Sequence, residues 1–293
     1  MKKISSIILV LFFGAICFSC SESKNENPPL INPNSSSVAT ETAEMNLVDV
    51  VYGNDNEQVF DLYLPENRTE KTKMIMLIHG GGWSTADKSS MNAYKTIAKQ
   101  DLPGYAVANM NYRLASQGVS TFPMQLEDIS LLVNHLKIEQ SNYNISDQIA
   151  FVGVSAGAHL AMSWSYYYDT NNQVNMVGSI VGPTDLNDSN YQNNPNFPVN
   201  DILTFFGATP TQEFLETYSP YHNVTTTSPP TILFYGGNDT LIPTSQGVNL
   251  DARLTDLYVT HEFTLYPNEG HGWIGPNLFD TWTKLKGYII THH

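Results

Sequence analysis

Gly153-Val154-Ser155-Ala156-Gly157 joins two segments of opposite character. Residues 148–152 ahead of it are short, apolar and β-prone, while 156–162 behind it are good helix formers. The spacing predicts a strand, a sharp turn and a helix, with Ser155 at the apex. Flanking glycines permit the tight backbone and let an opposing element come close. The turn lifts the Ser155 hydroxyl above the sheet and leaves the Ala156 N–H at the positive end of the helix. An ordinary glycine-rich turn has the same five letters, so the rest of the chain must decide.

The surrounding pattern is consistent with such a turn. Strand-like runs at 47–52 and 58–64 are separated by Gly53-Asn54-Asp55-Asn56, which predicts an antiparallel hairpin. Met74–Ile78 is continuously apolar and suits a central, doubly buried strand. Further strands are expected at 105–110, 148–152, 176–181, 231–235 and 261–266. Helices are expected at 89–101, 123–138, 243–257 and 278–290. The second of these carries Leu126, Ile129, Leu132, Val133 and Leu136 on one stripe. Strands that alternate with helices imply an α/β fold, a mostly parallel sheet covered on both faces. Between 186 and 228 the pattern lapses into Asn, Pro and Thr, with short helical candidates near 200–206 and 211–218. This segment reads as an insertion over one edge of the sheet, too short for a second domain.

The first 46 residues stand apart. Lys2 and Lys3 precede an apolar run at 7–18, then Ser19 and Cys20, so 1–19 reads as a secretory signal. The chain has two cysteines, Cys17 and Cys20. Cleavage before Cys20 leaves it the sole thiol, with no internal disulfide possible. That position resembles the modified cysteine of bacterial lipoproteins, although Cys17 and Phe18 replace the usual leucine and small residue. The resemblance implies lipidation at Cys20 and membrane attachment through that anchor alone. It also implies an exported protein at the outer membrane or cell surface, or otherwise periplasmic or secreted. Residues 20–46 are then a tether, since 21–43 hold almost no large apolar side chain. The fold is expected over 47–293. A formal net charge of −14 argues against nucleic acid and anionic lipid surfaces as partners.

Chemistry-bearing residues gather at predicted strand ends, where open α/β sheets build their sites. His79-Gly80-Gly81-Gly82-Trp83 follows the central strand. Its bare backbone N–H groups, with that of Ala156, suit a developing oxyanion. A phosphate loop is the alternative, but the G-x-G-x-x-G spacing and the P-loop lysine are missing. A serine nucleophile needs a base, held in one tautomer by an acid. Of eight histidines, His271 alone sits in a glycine-flanked loop after the last strand. His159 reads as packed, and His292 and His293 as a frayed terminus. Asp239 ends the 231–235 strand segment and is the expected acid, with Asp185 the runner-up.

From about residue 47 to 290 the chain resembles an α/β-hydrolase of the esterase/lipase group, nearest the bacterial feruloyl and acetylxylan esterase-like proteins. Asp61-Leu62-Tyr63-Leu64-Pro65, the His79 loop, Asn111-Tyr112-Arg113-Leu114, 122–128, 153–161, Gly182-Pro183-Thr184-Asp185-Leu186, 236–239 and Gly270-His271-Gly272 carry the resemblance. It implies a Ser155, Asp239, His271 triad, oxyanion donors at Gly81, Gly82 and Ala156, and no metal or organic cofactor. Arg113 and Asp128 are then a structural pair, and Ala158 stands where relatives usually carry glycine. The implied activity is ester hydrolysis through an acyl-enzyme, on acetyl or feruloyl groups of a plant polysaccharide such as xylan. A general short-chain carboxylesterase or lipase and an arylformamidase-like amidase share these parts. A carbohydrate-binding lipoprotein on a hydrolase scaffold is the reading from outside the enzymes. Trp83, Trp273 and the insertion are the expected walls of a relatively open site.

Overall fold

The computed structural model describes residues 42–293. The expected signal segment, Cys20 and tether residues 20–41 lie outside the described residues. Eight strands form the sheet: β1 Met45–Val51, β2 Val59–Leu64, β3 Met74–Ile78, β4 Ala106–Met110, β5 Ile149–Val154, β6 Val174–Ile180, β7 Thr231–Gly236 and β8 His261–Tyr266. The helices are α1 Asn92–Asp101, α2 Met124–Ile138, α3 Gln140–Tyr143, α4 Ala156–Ser163, α5 Ser189–Gln192, α6 Val199–Phe205, α7 Gln212–Thr217, α8 Pro220–Asn223, α9 Ser245–Asp256 and α10 Pro276–His292. A 3₁₀ turn, Lys88–Met91, leads into α1, and a π-helical turn, Trp164–Tyr168, prolongs α4. No helix among the described residues is long and apolar enough to cross a membrane.

Strand order is β1-β2-β4-β3-β5-β6-β7-β8. β1–β2 and β2–β4 pair antiparallel, and every other neighbouring pair is parallel. β1 begins at Met45, so the sheet reaches two residues into the expected tether. Alternation along the inner strands splits the core in two. Met76, Ile78, Phe151, Val177 and Leu233 pack beneath α2, α4 and α9, which contribute Leu126, Ile129, Leu160, Leu250 and Leu254. Ile75, Leu77, Val152, Met176 and Ile232 face Ala98 of α1 and Trp282, Leu285 and Ile289 of α10. All five residues of the predicted α2 stripe are buried, and Asp128 is buried with them. Its carboxylate takes two bonds from Arg113 Nε, one from Nη2 at 2.6 Å, and one from Gln58 Nε2 at 2.7 Å. The carboxylate is thus spent on neighbouring groups, in keeping with the structural pair that the resemblance implies.

Register brings the strand ends level. Ile78 lies beside Gly153, Val154 beside Ile180, and Gly236 beside Tyr266. The loops after β3, β5, β7 and β8 therefore leave from the same, C-terminal end of the parallel strands. Two expectations need correction here. The 186–228 insertion does not cover a sheet edge, because β6 and β7 are interior strands and the edges are β1 and β8. It rises from the strand ends instead, with Asn194 Nδ2 bonded to the Thr240 and Leu241 carbonyls. His293 is not frayed: it is buried, with its Nε2 2.9 Å from the Met74 carbonyl oxygen and its own carbonyl bonded by Lys73 Nζ.

Candidate active site

β5 ends at Val154 and α4 begins at Ala156, so one residue must reverse the chain. That residue, Ser155, has φ 54° and ψ −122°, a conformation non-glycine residues seldom adopt. The turn persists because its surroundings over-determine it. Ser155 N donates to the Ile180 carbonyl at 2.8 Å. A Cβ on Gly153 would stand 2.4 Å from the Gly157 carbonyl oxygen, and one on Gly157 would stand 2.2 Å from that of Ile78. Both flanking glycines are thus demanded by close approach. Ala158, the departure from the usual glycine, is accommodated by Gly182, where a Cβ would come within 2.7 Å of the Ala158 methyl.

His271 reaches back over this turn. Its Nε2 lies 2.9 Å from Ser155 Oγ and its Nδ1 2.7 Å from Asp239 Oδ2. The Asp239 side chain is fully covered, and its other oxygen accepts the Leu241 and Ile242 N–H groups at 2.8 and 3.0 Å. Bonded this way the carboxylate is an acceptor, so Nδ1 carries the imidazole proton and Nε2 is left to receive one from the serine. The two loops are tied together by Asn238 N to the Glu269 carbonyl and Gly237 N to that of Tyr266, both 2.8 Å. Asp185, the runner-up acid, is committed elsewhere. It meets His222 Nε2 at 3.3 Å and the Asn187 N–H at 2.9 Å.

The loop after β3 lies against the same turn. A Cβ on Gly80 would sit 3.2 Å from Ser155 Cβ. Gly81 and Gly82 have φ of 112° and 56°, and the turn is closed by the Ser84 and Thr85 N–H groups on the Gly81 carbonyl. Among the described residues the amides of Gly81, Gly82 and Ala156 donate to no backbone or side-chain acceptor. Unspent donors beside a nucleophile at a helix start are what a developing oxyanion requires. His79 is buried, stacks on Tyr112 at 4.2 Å, and bonds the Gly80 carbonyl through Nδ1. It braces the loop.

The structure corrects one of the expected walls. Trp83 is fully buried, packed edge-on against Phe122 and His159, so it lines no surface. Its place beside the glycines is taken by Phe197, whose Cε2 lies 3.5 Å from where a Cβ of Gly82 would be. Trp273 is half-buried against Tyr266 and spends its indole N–H on Thr281 Oγ1 at 2.8 Å, tying the His271 loop to α10. His159 is packed as expected, and its Nε2 bonds the Tyr218 carbonyl at 2.7 Å.

Burial holds His79 and His159 neutral, pushing each down to about 4 from 6.5. Between those values the unfolded chain binds more protons, so stability is full above about pH 6.5 and falls as pH drops toward 4. The two together place several kcal/mol at stake, about 3 kcal/mol each at most. Urea midpoints are expected to fall across this window, and His159→Phe should flatten the fall.

A mostly parallel sheet with a serine elbow after one central strand, an acid after β7 and a histidine after β8 defines an α/β-hydrolase. The chain belongs to the BD-FAE family, whose model matches residues 60–254. It is 22% identical over 245 residues to Esterase LipC of Mycobacterium tuberculosis, covering 76% of this chain and 59% of that protein. It is 27% identical over 164 residues to kynurenine formamidase of Danio rerio, covering 51% and 50%. The chain therefore spans only part of the length of these relatives. Among solved structures, a truncated carbohydrate esterase from gut microbiota superposes with a TM-score of 0.71 at 21% identity, covering 87% of this chain and 98% of that one.

Proposed function

We propose that the protein is a serine carboxylic-ester hydrolase that removes acetyl or feruloyl groups from a plant polysaccharide such as xylan. One observation carries the activity: Ser155 Oγ, His271 and Asp239 form a continuous relay beside three unspent amides. Ser155 Oγ attacks the ester carbonyl while His271 Nε2 takes its proton. The carbonyl electron pair moves onto oxygen, which Gly81, Gly82 and Ala156 N–H hold. Collapse breaks the bond to the alcohol oxygen, and that oxygen leaves with the proton from His271. Water then attacks the acyl-enzyme by the same route, returning the acid and Ser155. Asp239 keeps Nδ1 protonated throughout and balances the imidazolium.

The polysaccharide part of the reading rests on the insertion. Asn187, Asn190, Asn193, Asn194 and Asn196 make it polar, where a lipase for long chains wants a contiguous apolar lid. The carbohydrate esterase with a similar fold is compatible with it. Kinetics on acetylated and feruloylated xylo-oligosaccharides, simple aryl esters and an N-formyl aryl amine test the reading. Release of acetate or ferulate from the decorated sugar, faster than any cleavage of acyl chains of about ten carbons, is expected. A steady rise toward long chains with no release from the sugar contradicts it. Preference for the formyl amide, which the kynurenine formamidase relative makes the second reading, would move the protein to the amidases. The proposal includes export and lipidation at Cys20, since that cysteine follows a signal-like segment. Cys20→Ala should abolish lipid labelling and membrane partition, and unchanged partition refutes the anchor.

A further inference from the structure

We propose that Phe197 is the end-stop of the acyl pocket and narrows the substrates of this site to esters of acetate-sized acids. The inference rests on the ester-hydrolase reading and says which side of the ester is constrained.

The position of Phe197 is fixed from both ends. Asn194 is buried and bonds the Thr240 and Leu241 carbonyls at 3.0 and 2.9 Å, directly after Asp239. Phe197 N returns to the Asn194 carbonyl, and Asn196 N to the Asn194 side chain. The insertion is thereby clamped to the loop that carries the acid, and Phe197 is carried to the glycine loop. There its tip atoms Cε2 and Cζ come within 3.5 and 3.6 Å of the Cβ position of Gly82. Tyr191, fully buried, stacks on the ring at 5.9 Å and only 2° from parallel, and Trp83 lies 6.1 Å away. With Tyr191 parallel to and offset from the ring, and its tip atoms toward Gly82, Phe197 meets the glycine loop edge-first. An edge stops a chain, whereas a free face would stack a flat acyl group.

The reaction itself says which part of the substrate meets that edge. The carbonyl oxygen must point at the Gly81, Gly82 and Ala156 amides, and the alcohol oxygen must reach His271 Nε2. The acyl chain takes the remaining direction, away from His271. The aromatic neighbours of Phe197 are Trp83 and Tyr191, neither of them in the His271 loop. Phe197, set beside the oxyanion glycine Gly82, is on this reading the boundary of the acyl side, and the alcohol lies toward His271.

The test compares kcat/KM for 4-nitrophenyl acetate, butyrate and hexanoate and for an aryl ferulate, in the wild type and in Phe197→Ala, Phe197→Leu and Phe197→Trp. Active sites are counted by phosphonate titration, so a poorly folding variant does not distort the ratios. Each methylene that gains a place is worth about fourfold. The hexanoate-to-acetate ratio should rise about tenfold or more in Phe197→Ala, by less in Phe197→Leu, and fall in Phe197→Trp. Ferulate should follow hexanoate. A ratio within about twofold of the wild type in both smaller variants overturns the inference, as does a shift seen only when the alcohol of an acetate ester is varied. If the wild type titrates and cleaves acetate while these ratios stay fixed, the end-stop falls and the hydrolase reading survives. If the wild type neither titrates nor cleaves any ester, both fall together.

Discussion

Ser155→Ala is expected to lower kcat on an aryl acetate by about a million-fold, the loss typical of removing the nucleophile of an intact relay. Ester that still turns over would do so by water attack assisted by the amides alone. Folding should survive, because among the described residues Ser155 Oγ bonds only His271, and alanine keeps the same Cβ. Steady-state kinetics beside a thermal melt separate the two effects. Retained activity in a folded Ser155→Ala would transfer the chemistry to another group.

Asp239→Asn should cost about 10⁴ in kcat, and the reason is visible in its bonds. The carboxylate accepts two backbone N–H groups on one oxygen and His271 Nδ1 on the other. An amide in its place has a single oxygen, which the Leu241 and Ile242 N–H groups would hold, turning its NH₂ toward the imidazole. His271 would then present an unprotonated Nδ1 to the amide and a protonated Nε2 to Ser155, the wrong tautomer for a base. Asp185→Asn should leave activity within about tenfold, since its carboxylate pairs with His222 and a backbone amide. The reverse ranking would make Asp185 the acid.

Much of this arrangement is legible in the sequence because its causes are local. Met74–Ile78 and His261–Tyr266 begin and end where their apolar and alternating runs do. The glycines around Ser155 are required within five residues of the turn they allow. Ser155, Asp239 and His271 were each read from a strand end, and parallel register is what brings those ends level. The misreadings share a different cause. Adjacency to the glycines makes Trp83 a wall on sequence alone, but its φ of 63° turns it inward under Phe122 and His159. Phe197 reaches that place from more than a hundred residues away, through a clamp on Thr240 and Leu241 that no local pattern encodes. The insertion is expected as a wall of the site, yet in the sequence its asparagines and prolines place it over a sheet edge. Which strands flank it depends on sheet order, a long-range property. His293 looked frayed for the same reason: its partner, Met74, is on β3.

The central claim is that Ser155, held 2.9 Å from His271 Nε2, becomes acylated during turnover. Mass spectrometry of the protein after exposure to an alkyl phosphonate fluoride tests it most directly. One phosphonyl group per chain, on the peptide that contains Ser155 and absent from Ser155→Ala, is the predicted result. An enzyme that cleaves esters yet carries no adduct, or carries it on another residue, would contradict the account.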